Sequence, residues 1–131
     1  MLEFDPENQG AFPHKEITEA VIGAAFEAYN KRGYGFLHRV YHRALEVELL
    51  RRDFKVRLEQ RVTVRYKDVV VGEYDADLIV SESVVVEVKS RRNTTNGTKP
   101  QLLNMLKATG IRVGILVNFG RYKVEYKRLI F

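Results

Sequence analysis

The sequence contains no cysteine. Disulfides, cysteine-held zinc and iron–sulfur clusters are therefore excluded, and any metal has to be held by Asp, Glu, His or backbone oxygen. No apolar run reaches the ~18 residues of a transmembrane candidate, and no charged, apolar and then small-residue leader opens the chain. The expectation is a cytoplasmic protein with no membrane partner. There is no internal repeat and no low-complexity segment. What is present is ordinary for a folded domain: 131 residues, 45% hydrophobic and 30% charged, enough for one core and too little for two. Lys and Arg outnumber Asp and Glu by 22 to 17, a formal charge of +5. That balance favours a polyanionic partner without proving one.

Periodicity sets the order of elements. Residues 1–14 carry Pro6, Gly10 and Pro13 and no repeat of apolar positions, so they read as an extended lead-in to a domain over 15–131. From Lys15 to Arg32, Ile17, Val21, Ala24, Ala25, Ala28 and Tyr29 recur at helical spacing, and Gly33 supplies the stop. After the Gly33-Tyr34-Gly35 turn, Leu37, Val40, Tyr41, Ala44, Leu45 and Leu49 mark a second helix ending near Asp53. Val56 to Tyr66 alternates with period two: Val56, Leu58, Gln60, Val62, Val64 and Tyr66 on one face, Arg57, Glu59, Arg61, Thr63 and Arg65 on the other. That outer basic row is either a solvated face or a stripe of phosphate contacts. Pro100 is placed for the first turn of a third helix carrying Leu102, Leu103 and Leu106 and closing at Gly110. RVGILVNF, residues 112–119, has the apolar, β-branched character of a buried strand parallel to its predecessor across the helix. Tyr122 to Lys127 alternates again as a last strand. The order predicts one α/β domain with a mixed central sheet flanked by helices.

Residues 72–89, GEYDADLIVSESVVVEVK, place charge where a fold wants apolar side chains. Two β-branched runs flank Ser81-Glu82-Ser83, the pattern of a hairpin. With the turn centred on Glu82, Asp77 falls opposite Glu87 and Asp75 opposite Lys89. Val84, Val86 and Val88 then share a core face, while Glu87 and Lys89 share the other with Asp75, Asp77 and Ile79. Directly opposed residues lie roughly 5 Å apart, and like charges there are destabilising. A divalent cation held by carboxylate oxygens at about 2.0–2.1 Å would offset the repulsion. A solvated hairpin face is the plain alternative, and a one-residue register slip would separate the two carboxylates.

Asp77 followed by Glu87-Val88-Lys89, in this order of strands and helices, looks like a PD-(D/E)XK nuclease core. From Ile17 to Phe119 the chain resembles the GxxExxY family of that superfamily, through ITEAVIGAAFEAYNKRGYGFLHRVYHRALEVEL, YDADLIV, VVVEVKS, QLLNMLKATG and GILVNF. The resemblance implies a restriction-endonuclease-like fold and a nuclease that uses Mg2+ or Mn2+. Asp77 and Glu87 would be metal ligands, and Lys89 would handle the attacking water or the developing phosphorane charge. Gln101 would stand where RecB-type members of the superfamily place a glutamine beside the catalytic lysine. A metal on two carboxylates can activate water and neutralise a phosphate oxygen, and a lysine assists through its charge alone.

The departure is His38 in Gly35-Phe36-Leu37-His38-Arg39-Val40-Tyr41, where the motif has Glu. A neutral imidazole is a competent ligand that shifts preference from magnesium toward manganese or a later transition metal; a surface or packing role is the alternative. Tyr41 reads as core, His42 as a solvated neighbour, and Asp75 as a partner for Lys89. Arg57, Arg61 and Arg65, with Arg91, Arg92 and Lys99 of the polar loop after Lys89, are candidate nucleic-acid contacts, DNA before RNA. A catalytically inactive module of the same fold, binding nucleic acid or protein, is a second reading. A homodimeric junction-resolving enzyme is a third.

Overall fold

A computed structural model of the protein describes residues 2–3, 13–91 and 99–131, with the side chains of 13–91 and 101–131. The chain runs β1 (Leu2–Glu3), α1 (Lys15–Arg32), α2 (His38–Arg51), β2 (Val56–Tyr66), β3 (Val69–Val80), β4 (Val84–Lys89), α3 (Lys99–Thr109), β5 (Val113–Phe119) and β6 (Val124–Ile130). One mixed sheet holds all the strands in the order β1-β6-β5-β4-β3-β2. β4 and β5 are parallel and the other pairs antiparallel, as the intervening α3 requires.

Both faces of the sheet are covered. α1 and α2 bury Val21, Ala24, Ala25, Tyr41, Leu45 and Leu49 against Leu78, Val80, Val84, Val86, Val88 and Phe119. On the opposite face α3 buries Leu102, Met105 and Leu106 against Val62, Ala76, Ile79, Val85 and Leu116. The expectation of one core face and one charged face across the β3–β4 hairpin is thus corrected: Ile79 and Val85 are core beneath α3, and charge replaces grease only toward the far end of the hairpin.

The expected alternation of β2 is corrected too. Leu58 and Leu78 pack toward α1 and α2, whereas Val62 and Ala76 pack toward α3. An ideal strand keeps residues of equal parity on one face, so the β2–β3 ribbon turns over between these pairs. The turnover coincides with Glu59, which has a left-handed φ of 52° inside the strand, a conformation that crowds any Cβ.

Tyr41 locks α2 to the sheet. Its ring stacks on Phe119 with centroids 4.1 Å apart and planes 7° from parallel, and its hydroxyl donates to the Gly33 carbonyl in the α1–α2 turn. Because the ring is 1% exposed, Tyr41→Ala is expected to cost about 3–5 kcal/mol by cavity formation. Tyr41→Phe, which leaves the carbonyl unpaired, should cost about 1 kcal/mol. Chemical denaturation of the two variants checks both figures.

Candidate active site

The β3–β4 ladder begins at the hairpin turn with Val80 opposite Val84 and continues through Ile79–Val85 to Leu78–Val86. The next pair in this register is Asp77 and Glu87, as the centring on Glu82 predicts, and there the backbone pairing stops. Side chains take its place. Val88 N–H donates to Asp77 Oδ2 at 2.7 Å, and Asp77 N–H donates to Glu87 Oε1 at 3.3 Å. Each carboxylate satisfies a backbone donor of the other strand, so the strands separate without orphaning amides. The separation opens a cleft of about 300 Å³ lined by His38, Asp77, Glu87, Val88, Lys89, Ser90, Arg91 and Gln101.

Electrostatics at the base of this cleft are unfavourable for two carboxylates alone. Glu87 is 2% exposed. Burial first, and the neighbouring Asp77 charge second, push its carboxyl up to about 8, against smaller lowering effects from the Asp77 amide and Lys89. Among the described residues no three His, Asp or Glu side chains close into a cage around an ion. An open pair of carboxylates nevertheless fits magnesium or manganese: such ions keep several waters and take one or two carboxylates plus substrate oxygens. A cation would also supply the charge that burial denies Glu87.

The structure brings five candidates from sequence to one cleft: Asp77 from β3, Glu87 and Lys89 from β4, His38 from the first turn of α2, and exposed Gln101 from the first turn of α3. Arg91 joins them on the rim. Arg57 and Arg61 go elsewhere. They line a separate cleft with Ile79, Glu82, Ala108, Thr109 and Ile111 and are engaged there, Arg57 with Glu82 at 2.7 Å and Arg61 with Asp75 at 2.7 Å and Glu73 at 3.0 Å. Arg65 donates to the Asp68 carbonyl. Arg92 and the Lys99 side chain lie outside the described residues.

Two readings of individual residues are corrected. Asp75 pairs with Arg61 of β2 rather than with Lys89, because β3 stays on β2 where it has left β4. His42 is no solvated neighbour; it is 3% exposed, with Nε2 3.3 Å from Asp77 Oδ1. Asn118 was given no role of its own by the sequence. Buried in β5, it accepts from Arg91 N–H and donates to the Arg91 carbonyl, both at 2.9 Å, fixing the chain where it leaves β4 beside Lys89. A polar residue in the otherwise apolar GILVNF is the signal that could have found it.

A two-sided α/β sheet with acidic residues where two strands part, a lysine two residues on and a glutamine across the cleft defines the class of restriction-endonuclease-like proteins. The family model of the PD-(D/E)XK nuclease superfamily matches residues 15–129, and the chain belongs to that superfamily. Among solved structures, the "Crystal structure of SSO0001" superposes with a TM-score of 0.55 at 19% identity, covering 95% of this chain. At that identity the likeness shows the fold, and this chain spans 57% of the other's length. No curated protein matches the sequence. No described helix is long and apolar enough to cross a membrane.

The metal-free protein carries a measurable signature of the opposed carboxylates. A carboxyl whose folded pKa is raised holds a proton that the unfolded chain releases, so its stability contribution falls as pH rises from the ordinary carboxylate range to about 8 and is level above that. Glu87→Gln removes the charge and should raise Tm in the presence of a chelator. The gain should be small near pH 5 and grow toward about pH 8, as read by thermal melts across that range. A gain independent of pH would contradict this.

Proposed function

We propose that the protein is a divalent-metal-dependent nuclease hydrolysing phosphodiester bonds, of the GxxExxY branch of its superfamily, with DNA the substrate to test first. The observation that carries the reading is the reciprocal bonding of Asp77 and Glu87 to each other's strand, which fixes two carboxylates side by side in an open, cationic-rimmed cleft. Asp77 and Glu87 would hold the ion, magnesium or manganese, with His38 of α2 lining the same cleft as a candidate further donor. When bound, the ion lowers the pKa of a water and neutralises a phosphate oxygen.

The chain's own residues do the rest. Lys89 projects from β4 beside Glu87 and presents its ammonium to the attacking water and to the phosphorane charge. Gln101 orients that water or the phosphate from α3. The reciprocal hydrogen bonds keep both carboxylates from turning out of the cleft, so little reorganisation accompanies the reaction. Arg91 at the rim, with Arg92 and Lys99 after it, draws the polyanion. Arg57 and Arg61 are already neutralised by acidic partners and contribute less. The second reading, an inactive nucleic-acid- or protein-binding module, is favoured by the imidazole at 38 and by the lack of a three-ligand cluster among the described residues. A homodimer would be expected if the substrate is branched.

Manganese should raise Tm by mass action, equivalent to about 2.7 kcal/mol at ~100-fold excess over Kd. Glu87→Ala should abolish that rise and lower cleavage of DNA at least about a hundredfold. Cleavage at the starting rate by the Glu87→Ala protein would overturn the nuclease reading.

A further inference from the structure

His42 lies behind the cleft and is not among the residues lining it. Neither of its ring nitrogens has a hydrogen-bond partner, although both are buried. Burying an imidazole in this way costs free energy unless neighbouring groups compensate. Its neighbours are two carboxylates: Asp77 Oδ1 stands 3.3 Å from Nε2, and Glu59 Oε1 stands 3.6 Å from Nδ1. A second observation comes from the backbone. Glu59 holds its φ of 52° in the middle of a strand, a conformation that crowds the Cβ of a non-glycine residue, at the point where the β2–β3 ribbon turns over. Strain of this kind persists where the surroundings over-determine it. Here the left-handed residue is the one whose side chain meets His42, with Arg39 Nε at 4.0 Å from the same oxygen.

Because His42 does not line the cleft, it reaches an ion or a substrate through the side chains in front of it: Asp77, whose Oδ1 is 3.3 Å from Nε2, and His38, whose ring centroid is 5.1 Å from its own. We propose that His42, braced by Glu59, is a positioning residue that holds Asp77 in its ion-binding orientation. Val88 N–H grips one carboxylate oxygen from β4, and the imidazole faces the other from α2. With Val88 N–H bonded to one oxygen and the imidazole 3.3 Å from the other, the Asp77 carboxylate is confined between β4 and α2. Outer partners of this kind, on a ligating side chain, influence metal affinity by about 10- to 100-fold. The inference rests on the nuclease reading in one respect, that Asp77 holds the ion.

The test is Mn2+ binding followed by electron paramagnetic resonance of the free ion, on the starting protein and on Asp77→Ala, His42→Leu, His42→Gln and Glu59→Gly, with Tm measured for each. His42→Leu should weaken Mn2+ binding about 10- to 100-fold. His42→Gln should recover most of the loss, since its amide can still approach Asp77. Glu59→Gly is the sharper variant: glycine accepts a left-handed φ, so Tm should hold while Mn2+ affinity falls about tenfold. Equal affinities for the starting protein and Glu59→Gly, or equal losses for His42→Leu and His42→Gln, would reduce His42 to packing and overturn the inference. Coupling of the bound Mn2+ to an imidazole nitrogen that disappears in His42→Leu would make His42 a ligand and overturn it in the other direction. If the starting protein takes up no Mn2+, the nuclease reading falls and takes the inference with it. Uptake that Asp77→Ala abolishes and His42→Leu and Glu59→Gly leave intact removes the positioning role alone.

Discussion

The exchange of hydrogen bonds between Asp77 and Glu87 is the constraint around which the molecule is arranged. Two strands that part inside a protein normally strand their amides, and a buried orphan donor costs about 1–3 kcal/mol. Here Val88 N–H and Asp77 N–H each find a carboxylate oxygen of the opposite strand. Satisfying the backbone in this way has a second effect: it sets two carboxyl groups together at the bottom of the cleft. Burial and the Asp77 charge then raise Glu87 to about 8. The arrangement that opens the cleft is the same one that makes it receptive to a cation.

The rest of the fold keeps this junction rigid. β4 is buried over Val84–Val88, with α1 and α2 on one face and α3 on the other, so the strand that carries Glu87 and Lys89 has no freedom to shift. Tyr41 ties α2 to β5 through Phe119, which fixes the helix presenting His38 and His42. Asn118 clamps the backbone of Arg91 and so sets where β4 ends. Gln101 arrives from α3, whose next residue, Leu102, is fully buried in the opposite core. Three separate packing interfaces thus converge on one cleft.

Much of this was legible in the sequence because it depends on local pattern. The helices over 15–32 and 38–51 follow from apolar spacing and from glycines that stop and turn the chain. Centring the hairpin on Glu82 gives the observed register and hence the opposition of Asp77 and Glu87. What was not legible depends on departures from ideal geometry. Alternation predicts one continuous face for β2, but Glu59 turns the ribbon over, and a glutamate carries no signature of a left-handed φ as glycine does. Asp75 falls opposite Lys89 only if β3 and β4 remain paired; their parting hands it to Arg61. His42 sits one residue after Tyr41, at the flank of the apolar stripe, and whether a flank is wet or dry is decided by how closely α2 lies on the sheet. Asn118 reads as a strand residue until its partner, a backbone more than twenty residues away, is known.

The central claim is that Asp77 and Glu87 are set together to share a cation. Anomalous diffraction from crystals soaked in Mn2+ addresses it directly. The expected result is one strong anomalous peak within about 2.2 Å of an oxygen of each carboxylate, with the Val88 and Asp77 amides still bonded as they are here. Two carboxylates with no peak between them, bridged by the Lys89 ammonium at saturating Mn2+, would contradict it and make the cluster a structural ion pair.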